Sequence, residues 1–286
     1  MEVIDIKREH ERMYHMCLKD YWTEAGQCID RREVWYEKAR KQGLRVRLAR
    51  DDDGTITGLI QYIPIEYSFV DGTGLHFILC VWVHGYEEGI GDQRGKGIGE
   101  ALLAAAEEDA KWLGAKGMVA WGLATDEWMN APWFVAHGYK EADRAGDNVL
   151  VWKPFAKDAR PPRWLKQKKR PTPIPGKVVV TSLNSGWCVS ANVLQDTARV
   201  IARDLAGDVV YNAVDTSDRA TMLEWGVSEA LFIDDERVDA DKPPTRDELR
   251  KMVERKVRAL RMEGKARPRA RGRRPTTFAD PPRNRL

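Results

Sequence analysis

The chain reads as an α/β protein of the α+β kind, laid out as two successive units, and three observations carry that reading. β-rich runs alternate with stretches of helical period along all but the last residues. A proline-rich basic break at 154–176 interrupts the pattern. After the break the order simplifies to β-α-β-α-β-β-α, and 286 residues give each half room for its own core. The expected units are 1–155 and 177–262, with a linker at 156–176 and a tail at 263–286.

In the first unit, "EVIDI" predicts a short strand and residues 7–20 a helix. "CIDRREVWYEKARKQG" predicts a second helix, with Val34, Trp35, Ala39 and Leu44 near helical spacing and Gly43 as its stop. "LRVRLARDDDGTITGLIQYIPI" alternates around Asp-Gly, which predicts a hairpin. "LHFILCVWVH" has the β-branched and aromatic content of a central strand. A glycine-dense loop then opens a helix whose Ile98, Leu102, Ala106, Ala110 and Leu113 share one face. "KGMVAWGL" predicts a buried strand, "EWMNAPWFVAHG" a short helix ended by Gly138, and "NVLVWKPF" a last strand.

Six prolines and surplus Lys and Arg in 154–176 leave little room for regular structure, with Trp164 and Leu165 placed to pin the segment to one unit. Beyond it, "KVVVTSL", "VVYNAV" and "ALFID" predict strands. "SANVLQDTARVIARDLAG", "SDRATMLEWG" and "TRDELRKMVERKVRALRM" predict helices, and a hairpin turns around Asp-Asp-Glu.

Composition removes several function classes. No run of 18 uninterrupted apolar residues is present, so no membrane span or membrane partner is expected, and the N-terminal residues lack a signal-peptide core. Cys17, Cys28, Cys80 and Cys188 are widely spaced and form no CxxC, which predicts no metal site, no disulfide framework and a cytoplasmic location. The net charge of +3 is unevenly placed: residues 263–286 hold eight Lys/Arg against Glu263 and Asp280. The body is therefore mildly acidic, and the Pro/Arg/Gly tail is expected to be disordered and solvated, with weak nucleic-acid contact as its functional alternative. Nothing in the composition sets the oligomeric state.

The chemistry concentrates at "GIGDQRGKGIGEALLAAAEEDAKW". Backbone N–H groups at a helix start carry partial positive charge and have no intrahelical acceptor, so they suit an anion. Glycines let that backbone approach closely, and Arg94 and Lys96 add charge. A nucleotide-magnesium loop is excluded, because Gly97 follows Gly95-Lys96 where Ser or Thr is required. GxGxxG also fails, since the sixth position from Gly95 or Gly97 is Glu100 or Leu102. The spacing that fits is Arg94-x-x-Gly97-x-Gly99.

That motif, placed between a strand and a helix, resembles the pyrophosphate loop of the GNAT (Gcn5-related) N-acetyltransferases, and the order of elements over residues 2–155 is similar to that family's. The resemblance implies a GNAT acyl-CoA N-acyltransferase fold, acetyl-CoA as co-substrate held by Arg94, Gly95, Lys96, Gly97, Ile98 and Gly99, and acyl transfer to a small amine. It also implies that the pantetheine lies between the "LHFILCVWVH" and "KGMVAWGL" strands. The chain departs from the family where a tyrosine commonly protonates the leaving thiolate: Phe134 stands there, and Glu127 replaces a common Asn. His84, ending the central strand, is the first candidate for the base, ahead of Glu87, Glu127 and His137; each is otherwise an ordinary polar residue. Cys80 reads as a small core residue.

The second unit's order is similar to a thioredoxin-like fold lacking its first strand and helix. "NSGWCVSANV" puts Cys188 where thioredoxins carry their first active cysteine, at a helix start that would favour a thiolate. Ala191 replaces the second cysteine, so dithiol chemistry is not expected. The whole arrangement resembles GNAT proteins with a YoaP-like C-terminal region. Two functions follow: an acetyl-CoA-dependent N-acyltransferase, with His84 and Cys188 as candidate catalytic residues, or a thiol-dependent enzyme or sensor using Cys188 with the first unit as scaffold.

Overall fold

The computed structural model describes residues 1–125, 128–239 and 243–266. The tail expected at 263–286 begins within a helix that runs to Ala266; its remainder, 267–286, and the candidate base Glu127 lie outside the described residues.

Residues 1–154 build a seven-stranded sheet. β1 (Glu2–Asp5) is followed by a 3-10 turn and α1 (Glu11–His15), then α2 (Thr23–Gln27) and α3 (Ile29–Lys41). The helix expected over 7–20 is thus short, because Cys17 and Leu18 take left-handed φ values of 50° and 59° and turn the chain. α3 forms as read, but its buried face is Arg32, Trp35, Tyr36 and Ala39, and Val34 is 72% exposed. β2 (Arg45–Arg50) and β3 (Ile56–Pro64) form the expected hairpin, closed by the Asp51 amide on the Thr55 carbonyl at 2.8 Å with Gly54 at φ 91°. Next come the two-residue β4 (Val70–Asp71), then β5 (His76–Val83), α4 (Ile98–Trp112) and β6 (Gly117–Leu123). The half closes with α5 (Ala131–Ala136), β7 (Lys140–Ala145) and β8 (Asn148–Pro154).

The strand order is β1-β2-β3-β5-β6-β8-β7, so β5 is central as its composition predicts. Only the β5–β6 pair is parallel; its crossover carries the glycine loop and α4. One sheet face packs on α4 and α5 through Ile60, Tyr62, Leu102, Ala106 and Phe134. The other face packs on α1 and α3 through Tyr14, Trp35, Leu59 and Phe77, and this cluster also takes in Trp187 from the second half.

The linker is more ordered than its prolines suggest. Arg163–Trp164 forms β9 against β4, and the Trp164 ring stacks on Phe69 at 6.3 Å. Two residues later the chain touches the second half: the Lys168 amide donates to the Trp225 carbonyl at 2.8 Å, and a Cβ on Gly226 would collide with the Lys166 carbonyl oxygen. The segment is pinned to both halves, where the sequence predicted one.

The second half is a four-stranded sheet. β10 (Val178–Asn184), α6 (Val189–Asp204), β11 (Val209–Asp215), α7 (Arg219–Trp225), β12 (Ala230–Ile233), β13 (Glu236–Arg237) and α8 (Arg246–Ala266) follow the predicted order. The strand order is β11-β10-β12-β13, with β10 and β11 parallel and the other pairs antiparallel. α8 buries Leu249, Val253 and Val257, one turn apart, against Val178 and Val180. α6 rests on α2 and α3: Cys28 Sγ reaches the Asn192 carbonyl, and Arg31 lies 3.6 Å from Asp196.

Candidate active site

The site begins with a fault in the first sheet. Gln61 of β3 faces Cys80, but Tyr62 faces Ile78, so Leu79 is an extra residue on β5. Such a bulge bends and twists its strand. On the other edge, parallel pairing of β5 with β6 covers only His76–Met118, Phe77–Val119 and Ile78–Ala120. β5 runs on to Val83 and β6 to Leu123 without pairing to each other, which leaves a slot between them. The freed Leu79 carbonyl is not orphaned: the Trp121 indole N–H of β6 donates to it across the slot at 2.9 Å.

β5 delivers the chain into the glycine loop at the same end. Gly95 and Gly97 have φ of 73° and 75°, conformations that disfavour a Cβ. Gly97 is the N-cap of α4 and accepts from the Ala101 amide at 3.1 Å, while the first amides of the helix have no acceptor within it. Nothing lies within 4 Å of where a Gly95 Cβ would be. This open backbone cradle with a helix N-terminus fits a pyrophosphate. Its basic side chains are turned inward on their own loop, however. Arg94 pairs with Asp92 at 2.6 Å, which holds the Asp92 carboxyl down at about 2, and Lys96 Nζ donates to Gln93 Oε1 at 2.8 Å. Arg94 must leave Asp92 to reach a phosphate.

His84 stands at the end of β5 as predicted, yet it is fully buried. Its Nδ1 lies 2.9 Å from the Gly91 carbonyl oxygen, so that nitrogen carries the proton in the neutral ring. Nε2 then accepts from the Tyr21 hydroxyl at 3.1 Å. His84 ties down the 85–91 loop, and its lone pair reaches solvent through Tyr21, whose side chain is exposed. Of the other candidates, Glu87 is exposed; His137 takes the Trp133 carbonyl on Nδ1 at 2.7 Å and lies 3.9 Å from Glu100. Phe134 is fully buried against Trp133 and Tyr139.

Cys188 corrects the thiolate expectation. It is the N-cap of α6, as the sequence placed it, but burial and the nearby Glu229 push its thiol up to about 12, and the Ala191 amide at the helix start does not offset them. Cys80 is buried and its thiol is pushed well up by burial, as a core residue's would be.

Cys188 lines a cavity of about 210 Å³ between the two sheets. Its walls are Trp121, Leu123 and Trp128 from the slot side and Trp187, Cys188 and Glu229 from the second half. Trp121 meets Trp128 edge-on at 5.3 Å and Trp187 at 6.5 Å, so one indole both spans the slot and walls the cavity. Burial raises the Glu229 carboxyl to about 8, against the pull of the Ser185 hydroxyl, the Cys188 amide and Arg32. A larger, open groove of about 640 Å³ lies elsewhere, between β2 and α3; Arg40, Glu11 and Glu37 cross it as ion pairs, and it does not touch the slot.

Sequence reasoning missed Tyr21, Trp121, Glu229 and Arg32. Arg32 is 1% exposed, its guanidinium lies over the Tyr14 and Trp35 rings at 4.6 and 5.6 Å, and it donates to Gln61 at 3.2 Å. A helical wheel would have flagged it, since it shares the face of Trp35, Tyr36 and Ala39.

Residues 11–132 match the family model described as the acetyltransferase (GNAT) family. The matched residues lie within the mixed α/β fold of the seven-stranded sheet. The match takes in the bulged strand, the glycine loop, α4 and the slot, and stops just before Phe134. Among solved structures, the chain is similar to a ribosomal-protein-alanine N-acetyltransferase from Brucella melitensis (16% identity, 54% of this chain, 100% of that one, TM-score 0.41). A GNAT-family acetyltransferase from the same organism in complex with acetyl-CoA is similar at 16% identity (57% and 94% covered, TM-score 0.39). A GNAT-family N-acetyltransferase from Escherichia coli in complex with CoA is similar at 15% (55% and 82% covered, TM-score 0.38). No curated protein matches the chain. Among the described residues, no helix is long and apolar enough to cross a membrane, and no cluster of three or more His, Cys, Asp or Glu is placed to hold a metal ion.

Proposed function

We propose that the protein is an acetyl-CoA-dependent N-acyltransferase for a small amine. The observation that carries this reading is the coincidence, at one end of β5, of a bulge-opened slot with an open glycine cradle at the start of α4. The acyl-CoA supplies an activated thioester. Residues 94–99 hold its pyrophosphate, with the amides at the start of α4 as donors and Arg94 and Lys96 as counter-charges. The slot walls, Leu79 to Val83 and Trp121 to Leu123, position its pantetheine arm. Confining two reactants in this way removes most of the entropy cost of a bimolecular step. Phe134 has no proton to give, so the CoA thiolate leaves without a side-chain acid there. His84, acting through the Tyr21 hydroxyl, is the proton acceptor.

We further propose the division into 1–155, a 156–176 linker and a thioredoxin-like unit at 177–262, a reading supported by the β11-β10-β12-β13 order. A high-pKa Cys188 weighs against the thiol-enzyme alternative, because the neutral thiol is a poor nucleophile. Calorimetric titration with acetyl-CoA tests the central claim; no heat at millimolar ligand defeats it. Gly97→Glu should abolish binding while leaving the circular dichroism unchanged, since it places a carboxylate at the phosphate cradle. If alkylation of Cys188 stops turnover without obstructing amine binding, the thiol reading returns.

A further inference from the structure

The cavity between the two sheets adjoins the slot through Trp121 and Leu123. α4, with its anion-binding start, packs on one face of the first sheet. The cavity opens on the opposite face, beside the cluster that Trp187 completes. The slot between β5 and β6 joins the two, and Trp121 belongs to both slot and cavity.

We propose that this cavity, completed by the second half of the chain, binds an apolar primary amine of aryl-alkyl type, with its ammonium against Glu229 and its ring among Trp121, Trp128 and Trp187. The proposal rests on the acyltransferase reading for the use made of the amine, but the binding site stands on its own geometry.

Three features select this ligand class. Glu229 is the one carboxyl in the lining; the other titratable group there is the Cys188 thiol, which stays neutral. Glu229 accepts from Ser185 Oγ at 3.1 Å and has no cationic partner in an ion pair among the described residues. Burial outweighs the distant pull of Arg32, so this carboxyl holds its proton, and an entering ammonium supplies the contact charge it lacks. The rest of the wall is indole and aliphatic: three tryptophans with Leu123, Leu194 and Leu231. Indole faces favour a cation next to an apolar body. A volume near 210 Å³ falls below the roughly 300–1,000 Å³ of drug-sized pockets, so it admits a single ring with a short arm and excludes an oligosaccharide amine.

The test uses the full chain with 2-phenylethylamine as probe and 2-phenylethanol, of the same shape without the charge, as control. Binding is read by tryptophan fluorescence and calorimetry, without acetyl-CoA. The amine should bind about tenfold or more tightly than the alcohol, the discrimination expected of a charge-assisted hydrogen bond. Glu229→Gln should erase that preference while leaving acetyl-CoA binding unchanged. Ala191→Phe, which fills the cavity from α6 and leaves the carboxyl in place, should weaken both probes. The proposal is overturned if neither probe binds at millimolar concentration, if the alcohol binds as well as the amine, or if Glu229→Gln keeps the preference. Failure of acetyl-CoA to bind, with the amine preference intact, instead removes the transfer reading and leaves the pocket.

Discussion

Glu229 offers a direct measure of how the interface between the two halves is built. Burial raises its carboxyl from an ordinary 4.5 to about 8. A carboxyl that holds its proton more tightly in the folded state than in the unfolded chain favours folding at low pH. That advantage is lost progressively as pH rises from about 4.5 to about 8. At about 1.4 kcal/mol per pH unit, the loss is about 3 kcal/mol by pH 7 and about 5 kcal/mol above pH 8, as upper values for a side chain that is not wholly shut off from solvent. Glu229→Gln keeps the size and an acceptor for Ser185 but cannot ionise. Urea unfolding between pH 5 and pH 9, followed by tryptophan fluorescence, should therefore show the variant gaining on the parent by several kcal/mol across that range. Other titrating groups are common to both proteins and cancel in the difference. A stability difference that stays constant from pH 5 to pH 9 would refute the account, because it would mean that Glu229 is ionised and solvated throughout.

Three further outcomes follow from particular contacts. Asp92→Asn releases Arg94 from its bidentate partner, so acetyl-CoA affinity at low salt should rise about two- to fivefold, the scale of an exposed ion pair; an unchanged Kd would mean that Arg94 does not reach the ligand. Asp109→Ala leaves Arg45, Arg47 and Tyr62 without the carboxylate they share, and should lower unfolding free energy by about 3–5 kcal/mol by urea titration. Although burial pushes the Asp109 carboxyl up, the Arg45 and Tyr62 donors hold it below its ordinary value, so its contribution is present at neutral pH and lost as pH falls through its folded pKa. Gly226→Ala drives a Cβ into the Lys166 carbonyl at a residue with φ 71°, and limited proteolysis should then cut faster within 166–176. An unaltered cleavage pattern would show that the segment is not held there.

Much of the architecture was legible because local patterns and tertiary demands agree. The Asp51–Thr55 hairpin, the centrality of "LHFILCVWVH", the α4 face and the strand and helix order after the linker all follow from short-range periodicity and turn chemistry. The exceptions have identifiable causes. The first helix is cut short by left-handed residues at Cys17 and Leu18, neither of which is a usual turn former. Val34, expected in the apolar spacing of α3, is exposed and Arg32 is buried instead, because the phase of α3 is set by what it packs against and the burial of an arginine depends on the two rings it stacks on. The linker's order comes from Trp164 finding Phe69, a contact between residues far apart in the chain.

The candidate site divides along the same line. Arg94, Gly95, Lys96, Gly97, Ile98 and Gly99 could be proposed from the sequence because the cradle they would form is a local object: consecutive amides, permissive glycines and a helix start. The excluded nucleotide-magnesium and dinucleotide spacings were equally local. The state of Cys188 was not, since a helix N-terminus argues for a thiolate while burial beside Glu229, some forty residues away in the chain, holds the thiol neutral. Nor could the residues alone show that His84 would have both ring nitrogens engaged, or that Trp121, Trp187 and Glu229 would meet around one cavity. Hydrogen-bond geometry and periodicity act over a few residues and survive in the string of letters. Solvation and charge pairing depend on which distant segments exclude water together, and that was decided only when the two sheets came into contact.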